Sequence, residues 1–236
     1  MFPKTIGLEK ITIAIDGHSS TGKSTLAKQL AKALNYIYVD TGAMYRAVTL
    51  YAMQQGIIKA DYFNEQELIK QLNHVFLTFV FNPHLGFAEM YLNDVNVENE
   101  IRTLEVSNFV SKIAAVSEVR SKLVQQQKKY GIDKGVVMDG RDIGTVVFPN
   151  AELKIFMTAS AEIRAQRRFL ELKEKGMNTS FDEVLKNVTE RDTLDSNRQD
   201  SPLIKAQDAI VIDNSELSKE EQFQMILNLA NQRLTN

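Results

Sequence analysis

Residues 17–24 read Gly-His-Ser-Ser-Thr-Gly-Lys-Ser and satisfy the pattern G-x-x-x-x-G-K-[ST] in full. Just upstream, Ile11, Ile13 and Ile15 alternate with Thr12 and Ala14, which predicts a short strand. Downstream, STLAKQLAKAL places Leu26, Leu30, Ala33 and Leu34 at the spacing of one helical face. Strand, glycine turn and helix are the setting this pattern needs. The glycines let backbone N–H groups close around an oxyanion, and the positive end of the helix faces it. Lys23 then reaches the β- and γ-phosphates of a nucleotide, and the Ser24 hydroxyl can coordinate magnesium travelling with them. The predicted cradle comprises Gly17, His18, Ser19, Ser20, Thr21, Gly22, Lys23, Ser24 and the adjoining Thr25. It points to ATP or GTP, and alone it does not choose among a kinase, a switch and a transport ATPase.

Further strands and helices alternate along the chain. YIYV at 36–39 reads as a strand and Asp40 to Gly42 as a turn. AMYRAVTLYAMQQG reads as a helix stopped near Gly56. Residues 59–134 depart from this rhythm. A helix over FNEQELIKQLNHV precedes short antiparallel strands at 75–98, turning at Asn82 to Gly86 and again near Asn93 and Asp94. A helical stretch then covers 102–129, with a break near Ser117. Apolar strands return in GVVMDGRD, LKIFMTAS and AIVID, separated by helices over 161–175 and 181–191. A last helix starts at Ser218 and Glu221, which match a capping box. This order predicts an α/β fold with an open parallel sheet and a ligand beyond the strand ends.

Composition narrows the chemistry. The 236-residue chain has no cysteine, which excludes disulfides and thiolate chemistry. Its three histidines, His18, His74 and His84, are scattered. A net charge of -2 gives no bulk attraction for nucleic acid, so any basic site is local. No segment has the length and apolarity of a membrane span, and the first residues lack a signal-peptide pattern, so a cytoplasmic protein is expected. Local basic groups do occur: Arg46, Arg120, Arg141, Arg167, Arg168, Arg191 and Arg198. Arginine's planar fork suits phosphate. Arg141 is the most pointed, because DGRD directly follows an apolar strand. Any one of these arginines, Arg141 included, also makes sense as an ordinary surface residue. Asp139 could support magnesium through a water or orient a basic side chain. Asp142 could fix Arg141 or accept from a bound base. In ERDTLDSNR, Arg191 and Asp195 are four apart and could pair on a helix, or belong to a lid that excludes water.

Taken in order, GHSSTGKST, DTGAMYRA, EIRTLEVSNFVSKIAAVSEVR, DGRDIGTVVFP, KIFMTAS and ERDTLDSNR resemble the bacterial cytidylate kinases over about residues 10–230. The resemblance implies a P-loop nucleoside monophosphate kinase-like fold: a central five-stranded parallel sheet with flanking helices, an inserted small antiparallel β region and a short lid. The core would be 1–58 and 134–236, with the lid at about 167–198, and 59–133 the acceptor-binding insertion. The implied reaction moves the γ-phosphoryl of ATP, with Mg2+, onto CMP or dCMP. Lys23, Arg141 and Arg191 would be catalytic. Thr41, Arg46, Ser111, Arg120, Arg141, Asp142, Arg191, Asp195 and Arg198 would hold the acceptor, with Ser111, Arg120 and Asp142 reading cytosine. Arg167 and Arg168 would contact ATP, and Ser24, with Asp139 through water, the metal. A monomer without nucleic-acid or membrane partners is implied. His18 stands where the family often carries proline, and Ser24 where some members carry glycine. Kinases for UMP, AMP or dTMP, and a nucleotide-driven switch, are the competing readings.

Overall fold

A computed structural model describes residues 10–174 and 176–235. Its centre is a five-stranded sheet built from β1 (Thr12–Gly17), β2 (Ile37–Asp40), β8 (Val136–Gly140), β9 (Leu153–Thr158) and β10 (Ile210–Asp213). The strands lie in the order β10-β9-β1-β8-β2, and every neighbouring pair is parallel. Alternation in β1 sends its side chains to two different cores. Ile13 and Ile15 join Leu26, Leu30, Ile155 and Ile226, while Ala14 joins Val39, Met138 and Val147 on the other face. Both faces are covered, so the strands read as nearly continuous apolar runs. β1 sits between β8 and β9, and the ligand crevice of such a sheet opens beyond the carboxyl ends where the winding direction changes.

Helix α1 (Lys23–Leu34) leaves the cradle and buries Leu26, Ala27, Leu30 and Ala31. Ala33, expected on that face, is exposed instead. The buried stripe runs through the two alanines one turn apart, because small side chains let α1 lie close to the sheet. Helix α2 (Thr41–Gln54) also starts earlier than expected. Asp40 is its N-cap, accepting from the backbone N–H of Ala43 at 2.9 Å, so the predicted turn is the first helical turn.

The irregular middle resolves into a short ribbon, β3 (Ile58–Lys59) with β4 (Tyr62–Phe63), then α3 (Glu65–Gln71). A three-stranded antiparallel sheet follows, made of β5 (Leu77–Asn82), β6 (Phe87–Leu92) and β7 (Val95–Asn96). The β3–β4 ribbon was not anticipated, since two-residue strands leave no periodicity to read. Helices α4 (Leu104–Ala114) and α5 (Ser117–Tyr130) are separated where the break was expected. All of this closes around α2, whose Met44, Val48 and Tyr51 share one core with Leu68, Met90, Ile113 and Leu123. The small sheet also touches the main body, where Lys28 Nζ of α1 lies 3.6 Å from the Phe87 ring centroid.

Helices α6 (Ala161–Glu174) and α7 (Phe181–Asn197) form an antiparallel pair with their own apolar contact through Ala165, Leu172, Val184 and Val188. Helix α7 runs six residues past the expected end at Arg191. Helix α8 (Lys219–Leu234) starts with the predicted capping box, Ser218 and Glu221 each bonding the other's backbone N–H.

Candidate functional site

The cradle is held by steric and hydrogen-bonding demands that begin in the sequence. Gly17 has φ of 144°, and an added Cβ there would lie 2.0 Å from the Met157 carbonyl oxygen, so only glycine fits. Gly22, with φ of 87°, turns the chain into α1. Lys23 is buried, its Nζ donating to the His18 carbonyl at 2.5 Å and the Thr21 hydroxyl at 3.3 Å. Burial first, and the Arg141 guanidinium second, push the Lys23 ammonium down to about 7 against the pull of Asp139, Asp16 and Asp195. Two other elements brace the loop. Asn214 Nδ2 donates to the Thr21 carbonyl at 2.7 Å, and Arg164 Nη1 to the Ser19 carbonyl at 3.3 Å.

Beside Lys23, the Ser24 hydroxyl donates to Asp139 at 2.8 Å, and the Tyr38 hydroxyl does so at 2.8 Å on the other carboxylate oxygen. Burial and the neighbouring Asp40 raise the Asp139 carboxyl above its ordinary value. The hydrogen-bond partners of the Asp139 carboxylate are thus two hydroxyls and not a basic side chain. Ser24 and Asp139 are hard oxygen donors of the kind magnesium takes. Among the described residues no group of three or more His, Cys, Asp or Glu could hold a metal. The fit is therefore to an ion that draws most of its ligands from phosphates and water.

The nine residues expected to hold an acceptor, from Thr41 through Arg198, all line one cleft with about 470 Å³ of empty space, part of it open to solvent. Helix α2 brings Thr41, Tyr45 and Arg46, α4 brings Ser111, and α5 brings Arg120. Arg141 and Asp142 follow the end of β8, while α7 brings Arg191 and Asp195 and Arg198 caps its end. Five arginines and two aspartates line the cleft, and two more carboxylates stand behind them, Asp40 pairing with Arg46 at 3.2 Å and Asp200 lying 3.9 Å from Arg120. Arg141 Nε bonds Asp195 at 2.8 Å, and the Ser111 hydroxyl donates to the other oxygen at 3.3 Å. Burial alone would raise the Asp195 carboxyl, but Arg141 and Arg191 hold it below the usual range. Arg120 pairs with Asp142, and its guanidinium carbon lies 5.4 Å from the Tyr45 ring centroid. Burial and neighbouring arginines push both Arg46 and Arg191 down to about 10.

Positive charge remains in excess, and donors remain unused. Tyr45 OH, Arg46 Nε, Arg120 Nε, Arg191 Nε and Arg198 Nη2 are all buried without a hydrogen-bond partner. Buried donors are almost always satisfied. Five of them around one cleft describe a binding site for something anionic and rich in acceptors.

Two pairings that the sequence left open are not the ones formed. Arg191 and Asp195 do lie on a helix, but Asp195 takes its hydrogen bonds from Arg141 and Ser111. Asp142 pairs with Arg120, not with its sequence neighbour Arg141. Arg167 and Arg168, expected on the ATP side, are not among the residues lining the acceptor cleft. Arg167 donates to the Asn214 side chain at 3.0 Å and its carbonyl at 2.8 Å, and so reaches the cradle through Asn214. Arg168 bonds Glu171 at 3.0 Å on its own helix.

Other residues had gone unnoticed. Tyr45 lies four positions after Thr41, a helical spacing that could have placed both on one face. Arg164 and Asp192 form a two-pronged pair at 3.1 and 2.6 Å, with His18 Nδ1 3.3 Å from the same carboxylate. Twenty-eight residues separate Arg164 from Asp192, and nothing local signals their meeting.

A family model described as cytidylate kinase matches residues 13–232. A cytidylate kinase of Flavobacterium johnsoniae is 70% identical over 224 residues, covering 95% of this chain and 97% of the relative. One from Flavobacterium psychrophilum is 67% identical, covering 95% and 99%. One from Bacteroides fragilis is 56% identical over 220 residues, covering 93% and 96%.

Proposed function

The chain belongs to the cytidylate kinase family, and on that premise we propose how its cradle and cleft carry the reaction. The protein transfers the γ-phosphoryl group of ATP to CMP or dCMP, giving CDP or dCDP and ADP. The observation that carries the site reading is the set of five buried donors around the cleft that lack a hydrogen-bond partner. An acceptor phosphate is anionic near neutral pH, so it attacks without a strong general base. The protein's task is alignment, charge neutralisation and exclusion of water.

In this reading Lys23 holds the donor's terminal phosphates, and Arg46, Arg141 and Arg191 hold the acceptor and the moving phosphoryl. These cations cancel a repulsion that would otherwise keep two phosphates apart, and their effect grows as charge shifts in the transition state. Ser111, Arg120 and Asp142 read the cytosine edge, where a base with the wrong donor pattern would leave buried groups unpaired. Asp195 and Arg198 hold sugar and phosphate, and Thr41 closes the same face. Arg167 and Arg168 belong to the ATP side of the lid at about 167–198, while residues 59–133 form the acceptor-binding insertion. Ser24, with Asp139 through a water, would hold magnesium, which supplies charge neutralisation on the donor phosphates. The working unit is a monomer acting on free nucleotides, with no nucleic-acid or membrane partner. Among the described residues no helix is long and apolar enough to cross a membrane.

Incubation with γ-labelled ATP, magnesium and a panel of CMP, dCMP, UMP, AMP and dTMP tests the reading. Label should pass to CMP and dCMP ahead of the other acceptors. Label appearing only in inorganic phosphate, at a rate that CMP does not change, would sink it.

A further inference from the structure

We infer that Asp16 is a positioning residue that sets the donor cradle against the acceptor loop. The inference rests on the phosphoryl-transfer reading above. Asp16 is the last residue before Gly17, so one peptide bond joins it to the cradle. Its carboxylate is buried at 4% exposure and reaches across to the segment after β8. One oxygen accepts from the backbone N–H of Ile143 at 2.8 Å, and the other from that of Gly144 at 2.7 Å. These two residues follow Arg141 and Asp142, both of which line the acceptor cleft.

The local backbone explains why a carboxylate is needed there. Residues 143–147 make a single wide helical turn, in which Val146 and Val147 bond back to the Asp142 carbonyl and Phe148 to that of Ile143. The first N–H groups of any helical turn lack partners within it. Asp16 supplies both acceptors at once, from a different element. Close approach also depends on glycine, since a Cβ added at Gly144 would come 3.3 Å from the Asp16 carboxylate and 3.2 Å from Lys154 Cδ. Register reinforces the link, because Asp16 stands opposite Gly140 in the β1–β8 pairing.

Asp16 is not among the residues lining the acceptor cleft, and no arginine or lysine forms an ion pair with it among the described residues. Burial drives its carboxyl up to about 7, with the two N–H groups and Lys23 opposing and Asp142 adding to the rise. Keeping such a group in the core costs stability that an apolar residue would not. What the carboxylate gives is one rigid strut between the two phosphate-binding regions. In-line transfer is sensitive to such geometry, and a displacement of about 1 Å can cost on the order of 100-fold in rate.

The test compares wild type with Asp16→Asn, which keeps shape but turns one acceptor into a donor facing an N–H. CDP formation by wild type tests the function reading by itself. In the variant we expect kcat to fall on the order of 30-fold or more. Dissociation constants for ATP alone and CMP alone should stay within about twofold, since each half-site is intact. Amide hydrogen exchange at Ile143 and Gly144 should quicken by at least about tenfold, and this reads the strut whatever the acceptor proves to be. A folded variant with wild-type kcat, or with unchanged exchange at both amides, overturns the inference. So does a loss confined to ATP affinity, which would make Asp16 a cradle residue only. If the amide fails to fold, Asp16→Ser, which retains one short acceptor, is measured in the same way, with the same outcomes deciding.

Discussion

Lys23 shows how a single residue can be tuned by the fold that buries it. Its ammonium is pushed down to about 7 by burial and Arg141, whereas an unfolded chain keeps the proton until about 10.5. Between those values the unfolded chain holds more protons, so this residue's contribution makes stability rise with pH across that window. Below about 7 the cost of burying the charged form is present in full. A phosphate in the cradle favours the charged form and should return the proton. Binding of ATP at pH 8, followed by calorimetry in buffers of different ionisation enthalpy, should therefore show proton uptake that drops in Lys23→Met. The same substitution should lower kcat/KM by on the order of 100- to 1,000-fold, the usual loss for one preorganised charge at a transferring group. Equal proton uptake in both proteins would show that Lys23 is not the group the phosphate recharges. Lys23 itself was legible because a motif fixes it. Its environment was not, since Arg141 and Asp195 come from positions more than a hundred residues away.

At the scale of elements, legibility followed the range of the forces involved. The capping box at Ser218 and Glu221, the break before Ser117 and the five core strands depend on neighbours within a few residues, and the sequence displays them. The start of α2 was misplaced because Asp40 and Gly42 favour turns, and the Asp40 cap uses the same chemistry to begin a helix. Helix α7 was cut short because polar DTLDSN carries no apolar stripe. Its last turns are held by pairs to other elements, with Asp195 on Arg141 and Asp192 on Arg164. The second pair yields a prediction. Arg164 is 4% exposed and also holds the Ser19 carbonyl, so Asp192→Ala leaves a buried guanidinium without its anion. Stability should fall by about 3 kcal/mol, as for other broken buried pairs. The KM for ATP should rise while the CMP affinity changes little, because the lost brace lies on the cradle side. Denaturant unfolding and steady-state kinetics measure both, and a stability change under about 0.5 kcal/mol would show the pair to be worth no more than a surface contact.

The whole molecule places the cleft where three parts of the fold meet. Helices α2, α4 and α5 come from the core that packs α2 against the insertion, Gly140, Arg141 and Asp142 come from the carboxyl end of β8, and α7 comes from its pair with α6. No single segment of sequence could therefore reveal the cleft's charge. Five arginines outnumber the carboxylates around them, Asp142 and Asp195 in the lining with Asp40 and Asp200 behind it, and four of the arginines carry a buried N–H that lacks a hydrogen-bond partner. Like charges held together raise the free energy of the folded protein, and an anion in their midst lowers it. A phosphate-bearing ligand should then stabilise the fold well beyond what its base and sugar contribute. At about 100 times its dissociation constant a ligand adds about 2.7 kcal/mol, or several degrees in Tm for a chain this size. Thermal unfolding with CMP, cytidine and inorganic phosphate at one concentration separates the contributions. CMP should raise Tm most, inorganic phosphate should raise it measurably, and cytidine should leave it nearly unchanged. An equal rise with cytidine and CMP would mean that base contacts hold the acceptor and that the arginines are neutralised by some other route.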